Sequence, residues 1–114
     1  MNPAMPQRYR VTLTGRAKKD FIDIGDYIAY NLSVPATALD FVEELMNVIM
    51  ALNVMPERYA LVNDDILAAK SIRCMPYKNY YVFYRVVHSD HSVVVLRLGY
   101  NRKNWREILK ISEA

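Results

Sequence analysis

The sequence holds a single cysteine, three scattered glycines and no long apolar run, and each of these features excludes a class of protein. Cys74 has no partner for an internal disulfide, which favours a reducing compartment. Gly15, Gly25 and Gly99 form neither a phosphate-binding loop nor a dinucleotide fingerprint. No apolar stretch approaches the roughly 18 residues of a membrane span, and the N-terminus lacks a signal-peptide core. The sequence therefore predicts a cytoplasmic protein with no membrane association.

Length and charge narrow the choice further. A chain of 114 residues with 53% hydrophobic content can bury one compact core, so residues 1–114 are predicted to form one domain. The net charge of +3 permits an anionic partner but is well below that of a face lined with phosphate contacts. His88 and His91 share a turn without a second cysteine or a carboxylate cluster at ligand spacing, so we predict no metal and no cofactor.

Hydrophobic periodicity predicts an α+β fold. Residues 8–13 alternate like a half-buried strand, and the period changes to that of a helix after Thr14, a suitable N-cap. Pro35 begins a second helix over about residues 36–52, which completes a helical hairpin. Short helices are predicted around residues 65–69 and 105–111. The acidic residues of the first helix are expected to remain outside the core: Asp20, Asp23 and Asp26.

Residues 71–105 are rich in β-branched and aromatic residues and are broken by two turns, as in a three-stranded antiparallel meander. The N-terminal strand is expected to join an edge of this meander, which gives an antiparallel sheet packed on the helical hairpin. Helices on one side would leave the other face of the sheet partly open to a partner.

Three arginines recur twelve residues apart along the meander: Arg73, Arg85 and Arg97. Counting from the turns places Arg73 near Val82 and Arg97 near Phe83, which predicts a separation of about 10 Å between the two arginines. Such a pair could hold a phosphate or a carboxylate. The alternative is that each arginine is solvated or pairs with Asp64, Asp65 or a helix carboxylate.

Five tyrosines lie in the same region, and the sequence allows them either a binding role or a packing role. They could stack on bases or anchor a protein partner, or they could pack within the strands, where tyrosine is favoured. Tyr100 is the expected exception to packing, because it precedes Asn101, Arg102 and Lys103. The set is Tyr77, Tyr80, Tyr81, Tyr84 and Tyr100.

Nearly the whole chain resembles the RelE/ParE superfamily of bacterial toxins. The most specific parts are Pro-Glu-Arg at residues 56–58, Asn-Tyr-Tyr-Val-Phe-Tyr-Arg-Val at residues 79–86, and the Arg-Lys-Asn-Trp close at residues 102–105. The resemblance implies a helical hairpin on an antiparallel sheet. It also implies a type II toxin-antitoxin module of the plasmid or chromosomal stabilisation kind. A cognate antitoxin would neutralise this chain in a heteromeric complex, for which a dimer of dimers is one arrangement.

The superfamily has two branches with different targets. RelE-like members cut messenger RNA on the ribosome, and the resemblance would assign catalysis to Arg73, Tyr100 and Arg102. ParE-like members have no active site and bind DNA gyrase. Where a catalytic tyrosine would be expected, this chain has Trp105, Arg106 and Glu107.

This departure and the modest charge favour the ParE-like branch. Ribosome-dependent cleavage and a decayed toxin that acts only as a binding module remain the alternatives. An exposed stripe on the second helix is expected to bind the antitoxin, and basic and aromatic residues of the sheet and C-terminus are expected to bind partners. The predicted partner-binding residues are Val42, Met46, Ile49, Arg85, Arg97, Lys103 and Trp105.

Overall fold

The computed structural model describes residues 8–32, 35–100 and 109. Its strands and helices are β1 (Arg10–Leu13), α1 (Gly15–Leu32), α2 (Pro35–Met50), α3 (Asp65–Ala69), β2 (Ile72–Tyr77), β3 (Tyr80–Val87) and β4 (Ser92–Tyr100). Short 3-10 turns occupy Ala51–Asn53, Pro56–Arg58 and His88–Asp90. The helical hairpin, the short third helix and the meander are confirmed. The predicted closing helix lies outside the described residues except for Leu109, which is helical and buried.

The four strands form one mixed sheet in the order β1-β4-β3-β2. As predicted, β1 joins an edge of the meander, but it runs parallel to β4, with Arg10 opposite Ser92 and Leu13 opposite Val95. The prediction of a wholly antiparallel sheet was wrong because alternation specifies which face a side chain takes and not the direction of the strand. Hydrogen bonds from Arg10 N to His91 O (2.8 Å) and from Thr14 N to Val95 O (3.0 Å) fix this pairing.

Thr14 links the start of α1 to the sheet. Its hydroxyl accepts a hydrogen bond from Ala17 N at 3.1 Å, which confirms the predicted N-cap. The same hydroxyl donates to Leu96 O at 3.0 Å, so the cap also fixes the helix against β4. These two hydrogen bonds of Thr14 hold the first turn of α1 beside β4.

The larger core lies between the hairpin and the sheet. Alternate residues of β3 face it, beginning with Tyr80, and α2 contributes two fully buried side chains, Leu45 and Ile49. The other buried members of this core include Ala17, Ile24, Leu52, Met75, Val82, Tyr84, Val93, Val95 and Leu98. Within the described residues, no helix is both long and apolar enough to cross a bilayer.

A second core covers part of the opposite face of the sheet, which was predicted to be partly open. It contains Val62, Leu67, Ile72, Phe83, Leu96 and Leu109. The segment that leads into α3 is bonded to β2, through Val62 N to Ile72 O (2.9 Å) and Cys74 N to Ala60 O (3.2 Å). Residues 57–70 therefore pack on this face of the sheet, although their periodic pattern is weak.

Candidate functional site

Arg73 anchors a loop instead of presenting its charge to solvent. Its Nη1 donates to Tyr59 O at 2.8 Å and more weakly to Glu57 O at 3.4 Å, while Nη2 lies 3.4 Å from the Glu57 carboxylate. Only 19% of the side chain is exposed. Arg73 lies opposite Tyr84, two residues along β3 from the predicted Val82. This arginine stabilises the loop that follows α2.

Arg97 forms a two-point ion pair with α1. Its Nε donates to Asp20 Oδ2 at 2.6 Å and its Nη2 to Asp20 Oδ1 at 2.9 Å. The backbone N–H of Leu98 donates to the same carboxylate at 3.0 Å, and each charged side chain is 14% exposed. The helix-carboxylate alternative is therefore correct for Arg97, and the expectation that Asp20 stays outside was wrong.

The predicted phosphate-binding pair of Arg73 and Arg97 does not form. Arg97 lies opposite Phe83, as expected, and Arg73 lies opposite Tyr84. Phe83 and Tyr84 are consecutive in β3 and belong to cores on opposite faces of the sheet. A bulge lies at this point, where Leu96 is the extra residue of β4. The two guanidinium groups are instead held by acceptors from different elements, Arg73 by the loop at residues 57–59 and Arg97 by Asp20 of α1.

The Pro-Glu-Arg segment is the centre of the loop that Arg73 anchors. Pro56 O accepts a hydrogen bond of 2.5 Å from the buried Tyr84 hydroxyl. The Glu57 carboxylate lies between Arg73 and His88, whose Nε2 is 3.1 Å away. Arg58 Nη1 donates to the carbonyl of Val54 at 2.6 Å. The segment on which the family resemblance depends has a structural role in this chain.

The tyrosines divide between packing and exposure. Tyr84 is fully buried and Tyr80 is 7% exposed, so the packing alternative is correct for both. Tyr77 is half-buried and hydrogen-bonded to Glu44. Burial, followed by that hydrogen bond, raises the pKa of Tyr77 to about 12. Tyr100 is 62% exposed, which confirms it as the exception.

The other predicted partner-binding residues fall into three groups. Arg85 is half-buried in β3, and its Nε donates to Lys70 O at 3.0 Å. Val42 and Met46 are half-buried on α2, whereas Ile49 is fully buried in the larger core. An exposed stripe that includes Ile49 was therefore wrong, because this residue lies one turn beyond Leu45 on the inner face of α2. The remaining two, Lys103 and Trp105, lie outside the described residues, as does Arg102, which the ribonuclease alternative would make catalytic.

Burial of Tyr84 predicts a sensitivity to alkali. Burial raises the pKa of its phenol from 10.0 to about 12, although Arg73 and Arg58 lower it. Between these values the unfolded chain loses the proton and the folded chain keeps it, so this contribution is complete below pH 10 and is lost as the pH rises to 12. We expect the free energy of unfolding to fall by roughly 3 kcal/mol through this window.

Urea unfolding at about pH 9 and about pH 11 measures about half of this change, because pH 11 lies midway between the two pKa values. Tyr84→Phe is expected to be less stable at both values, because the bond to Pro56 O is lost, but to show a smaller difference between them. Tyr30→Phe, at an exposed position of α1, is the control and should keep the wild-type difference. An unchanged difference in Tyr84→Phe would show that another group causes the alkaline loss.

Comparison with known proteins shows the family to which this chain belongs. A family model described as the ParE toxin of the type II toxin-antitoxin system, parDE, matches residues 11–105. The chain belongs to the ParE toxin family. It is therefore a type II toxin, and it has the RelE/ParE-like fold. A sequence search against curated proteins finds no significant match.

Solved structures share the fold of this ParE-family chain at low sequence identity. The chromosomal ParDE toxin-antitoxin system from P. aeruginosa matches with a TM-score of 0.69 and 17% identity, over 84% of this chain and 99% of that chain. A mutant of the E. coli toxin RelE in the free state matches with a TM-score of 0.63 and 14% identity, over 93% and 97%. The toxin-antitoxin complex RelBE2 from Mycobacterium tuberculosis matches at 0.54 and 19%, over 82% and 92%.

The sequence analysis did not name Asp20 or Glu57 as the carboxylates that engage the two arginines, although a helix carboxylate was one of its alternatives. Asp20 follows Ala17 by three residues and precedes Ile24 by four, which places it on the inner face of α1. That spacing was a usable signal for Asp20. Glu57 had no comparable signal, because its contact with Arg73 depends on how the loop after α2 folds back.

Proposed function

We propose that this ParE-family toxin arrests bacterial growth by binding DNA gyrase in the cytoplasm, without cutting RNA. The observation that carries the proposal is the engagement of Arg73 by the loop at residues 57–59. In the ribonuclease alternative this arginine would have to stabilise a phosphate. A mostly buried guanidinium that holds backbone carbonyls supports a structural role instead.

The surroundings of Tyr100 support the same choice. A proton carrier in RNA cleavage needs a partner within hydrogen-bond reach and a nearby cation for the phosphate. The described residues that share a hollow with Tyr100 are Asp23, Ile24, Tyr27 and Tyr80. These side chains are aromatic, aliphatic or acidic, and such a lining suits a cation better than a phosphate.

A supercoiling assay with purified gyrase tests the proposal. We expect added toxin to lower the rate of supercoiling and the antitoxin encoded beside it to restore that rate. Ribosome-bound messenger RNA should remain intact under the same conditions. Normal supercoiling together with cuts in ribosome-bound message would contradict the proposal. If Arg73→Ala, Tyr100→Phe and Arg102→Ala each weakened those cuts, the ribonuclease alternative would replace it.

We further propose that the antitoxin covers the outer stripe of α2. Leu39 and Met50 are exposed there, and Val42 and Met46 are half-buried beside them. Their spacing places Leu39, Met46 and Met50 along one side of the helix. An exposed apolar stripe on a helix is suited to an amphipathic segment of a partner protein.

Met46→Glu tests this surface. The added charge should weaken antitoxin binding by roughly tenfold or more, because a carboxylate would be desolvated in the interface. Asn47→Glu places the same charge at an exposed position of the next residue and is the control. Isothermal titration with the antitoxin measures both affinities. Equal affinities for Met46→Glu and wild type would reject the surface.

A further inference from the structure

A hollow of about 280 Å³ opens between α1 and the ends of β3 and β4 that are remote from their connecting turn. Its lining includes three tyrosines, an isoleucine and a carboxylate: Tyr27, Tyr80, Tyr100, Ile24 and Asp23. The family fold and the proposed gyrase target assign no role to this combination. Three aromatic rings and an acid around one hollow are the components of a cation-binding cage.

The rings are arranged as a floor and a rim. Tyr80 is 7% exposed and forms the floor, while Tyr27 and Tyr100 are 63% and 62% exposed and form the rim. The rings of Tyr80 and Tyr100 meet edge to face, with centroids 5.2 Å apart and planes at 68°. Burial raises the pKa of Tyr80, and the nearby hydroxyls of Tyr100 and Tyr27 raise it further. The side chains of the three tyrosines line one space.

Asp23 supplies the charge of the site. Its carboxylate is 3.4 Å from Lys19 Nζ, in a pair whose two side chains are more than half exposed. An exposed pair of this kind contributes little to stability, so a cation that enters the hollow can replace or share the lysine contact. The negative carboxylate and the negative faces of the rings complement a positive group and disfavour a phosphate or a carboxylate.

We propose that this hollow, lined by Asp23, Tyr27, Tyr80 and Tyr100, is an aromatic cage that receives an arginine side chain of a partner protein. The volume is below the range of drug-sized ligand pockets and suits the head group of one side chain. Arginine fits better than lysine because its guanidinium is planar, weakly hydrated and able to stack on a ring while it pairs with a carboxylate. The proposal does not depend on the identity of the toxin's target.

Nuclear magnetic resonance of the tyrosine ring protons tests the cage in the full chain. The probe is N-acetyl-arginine amide, and N-acetyl-citrulline amide is the neutral analogue of the same shape. We expect saturable chemical-shift changes at Tyr27, Tyr80 and Tyr100 with the arginine probe. The affinity for the citrulline probe should be lower by a factor of roughly ten or more. Equal binding of the two probes, or no saturable shift with arginine, would overturn the proposal.

Variants at the rim locate the binding. Tyr27→Leu and Tyr100→Leu should each lower the affinity for the arginine probe by roughly fivefold to tenfold, because one ring face is lost. Asp23→Asn should lower it similarly and keeps the shape of the side chain. Tyr30→Leu changes an exposed tyrosine of α1 outside the described lining and should bind like wild type. Wild-type affinity in all three cage variants would overturn the proposal, whatever the effect on growth arrest or gyrase.

Discussion

Asp20→Ala is expected to lower the free energy of unfolding by roughly 3–5 kcal/mol. The substitution leaves the Arg97 guanidinium mostly buried without the carboxylate that it contacts through Nε and Nη2. It also removes the acceptor of the Leu98 N–H. A charge that has lost its partner in a low-dielectric site retains the full cost of its desolvation. Urea unfolding monitored by circular dichroism measures the change.

Two further variants make this result specific. Asp23→Ala removes a carboxylate from the same helix, but its pair with Lys19 is exposed, so the loss should be below about 1 kcal/mol. Combining Asp20→Ala with Arg97→Met removes both charges and should recover part of the stability of the single variant. If Asp20→Ala were as stable as Asp23→Ala, the ion pair would not be holding α1 on β4.

Ile49→Ala is expected to lower the free energy of unfolding by roughly 2–5 kcal/mol. Ile49 is fully buried in the core between the hairpin and the sheet, and the shorter side chain would leave a cavity there. Thermal unfolding and urea unfolding both report this loss. Its size depends on how far the neighbouring side chains can relax into the space.

Met46→Ala is the matched control, because Met46 lies one turn earlier on the same helix and is half-buried. Its loss should be smaller than that of Ile49→Ala, since fewer apolar contacts disappear. Similar losses in the two variants would mean that α2 packs differently from the arrangement described above. If Ile49→Ala were as stable as wild type, Ile49 would not be a core residue, and its predicted place on the exposed partner-binding stripe would be supported.

Much of the fold could be predicted because its signals are local. Helical periodicity, Thr14 as a cap and Pro35 as a start give α1 and α2, and the pairs Tyr80–Tyr100 and Phe83–Arg97 follow from the turn between β3 and β4. The register of β2 differs by two residues because the turn lies one residue further along the chain than predicted. Tyr77 pairs with Tyr80, and Lys78 takes the left-handed conformation, with φ of 54°.

The site was less predictable because its contacts are non-local. The sequence identified Arg73 and Arg97 as notable, but their acceptors lie 16 and 77 residues away in Glu57 and Asp20. Whether an arginine binds a ligand or supports the fold depends on such acceptors, and periodicity contains no information about a loop that folds back. The exposure of Tyr100 was predicted correctly from its neighbours in the sequence. The hollow that it shares with Tyr27 was not predicted, because it depends on a contact between distant parts of the chain.

Plasmid topology in bacteria tests the central claim most directly. Gyrase introduces negative supercoils, so binding of the toxin should leave plasmids relaxed soon after its expression begins, before growth stops. We predict a shift of the topoisomer ladder towards relaxed forms, which co-expression of the neighbouring antitoxin reverses. Growth arrest with an unchanged topoisomer ladder would contradict the account of this toxin as a gyrase-binding protein.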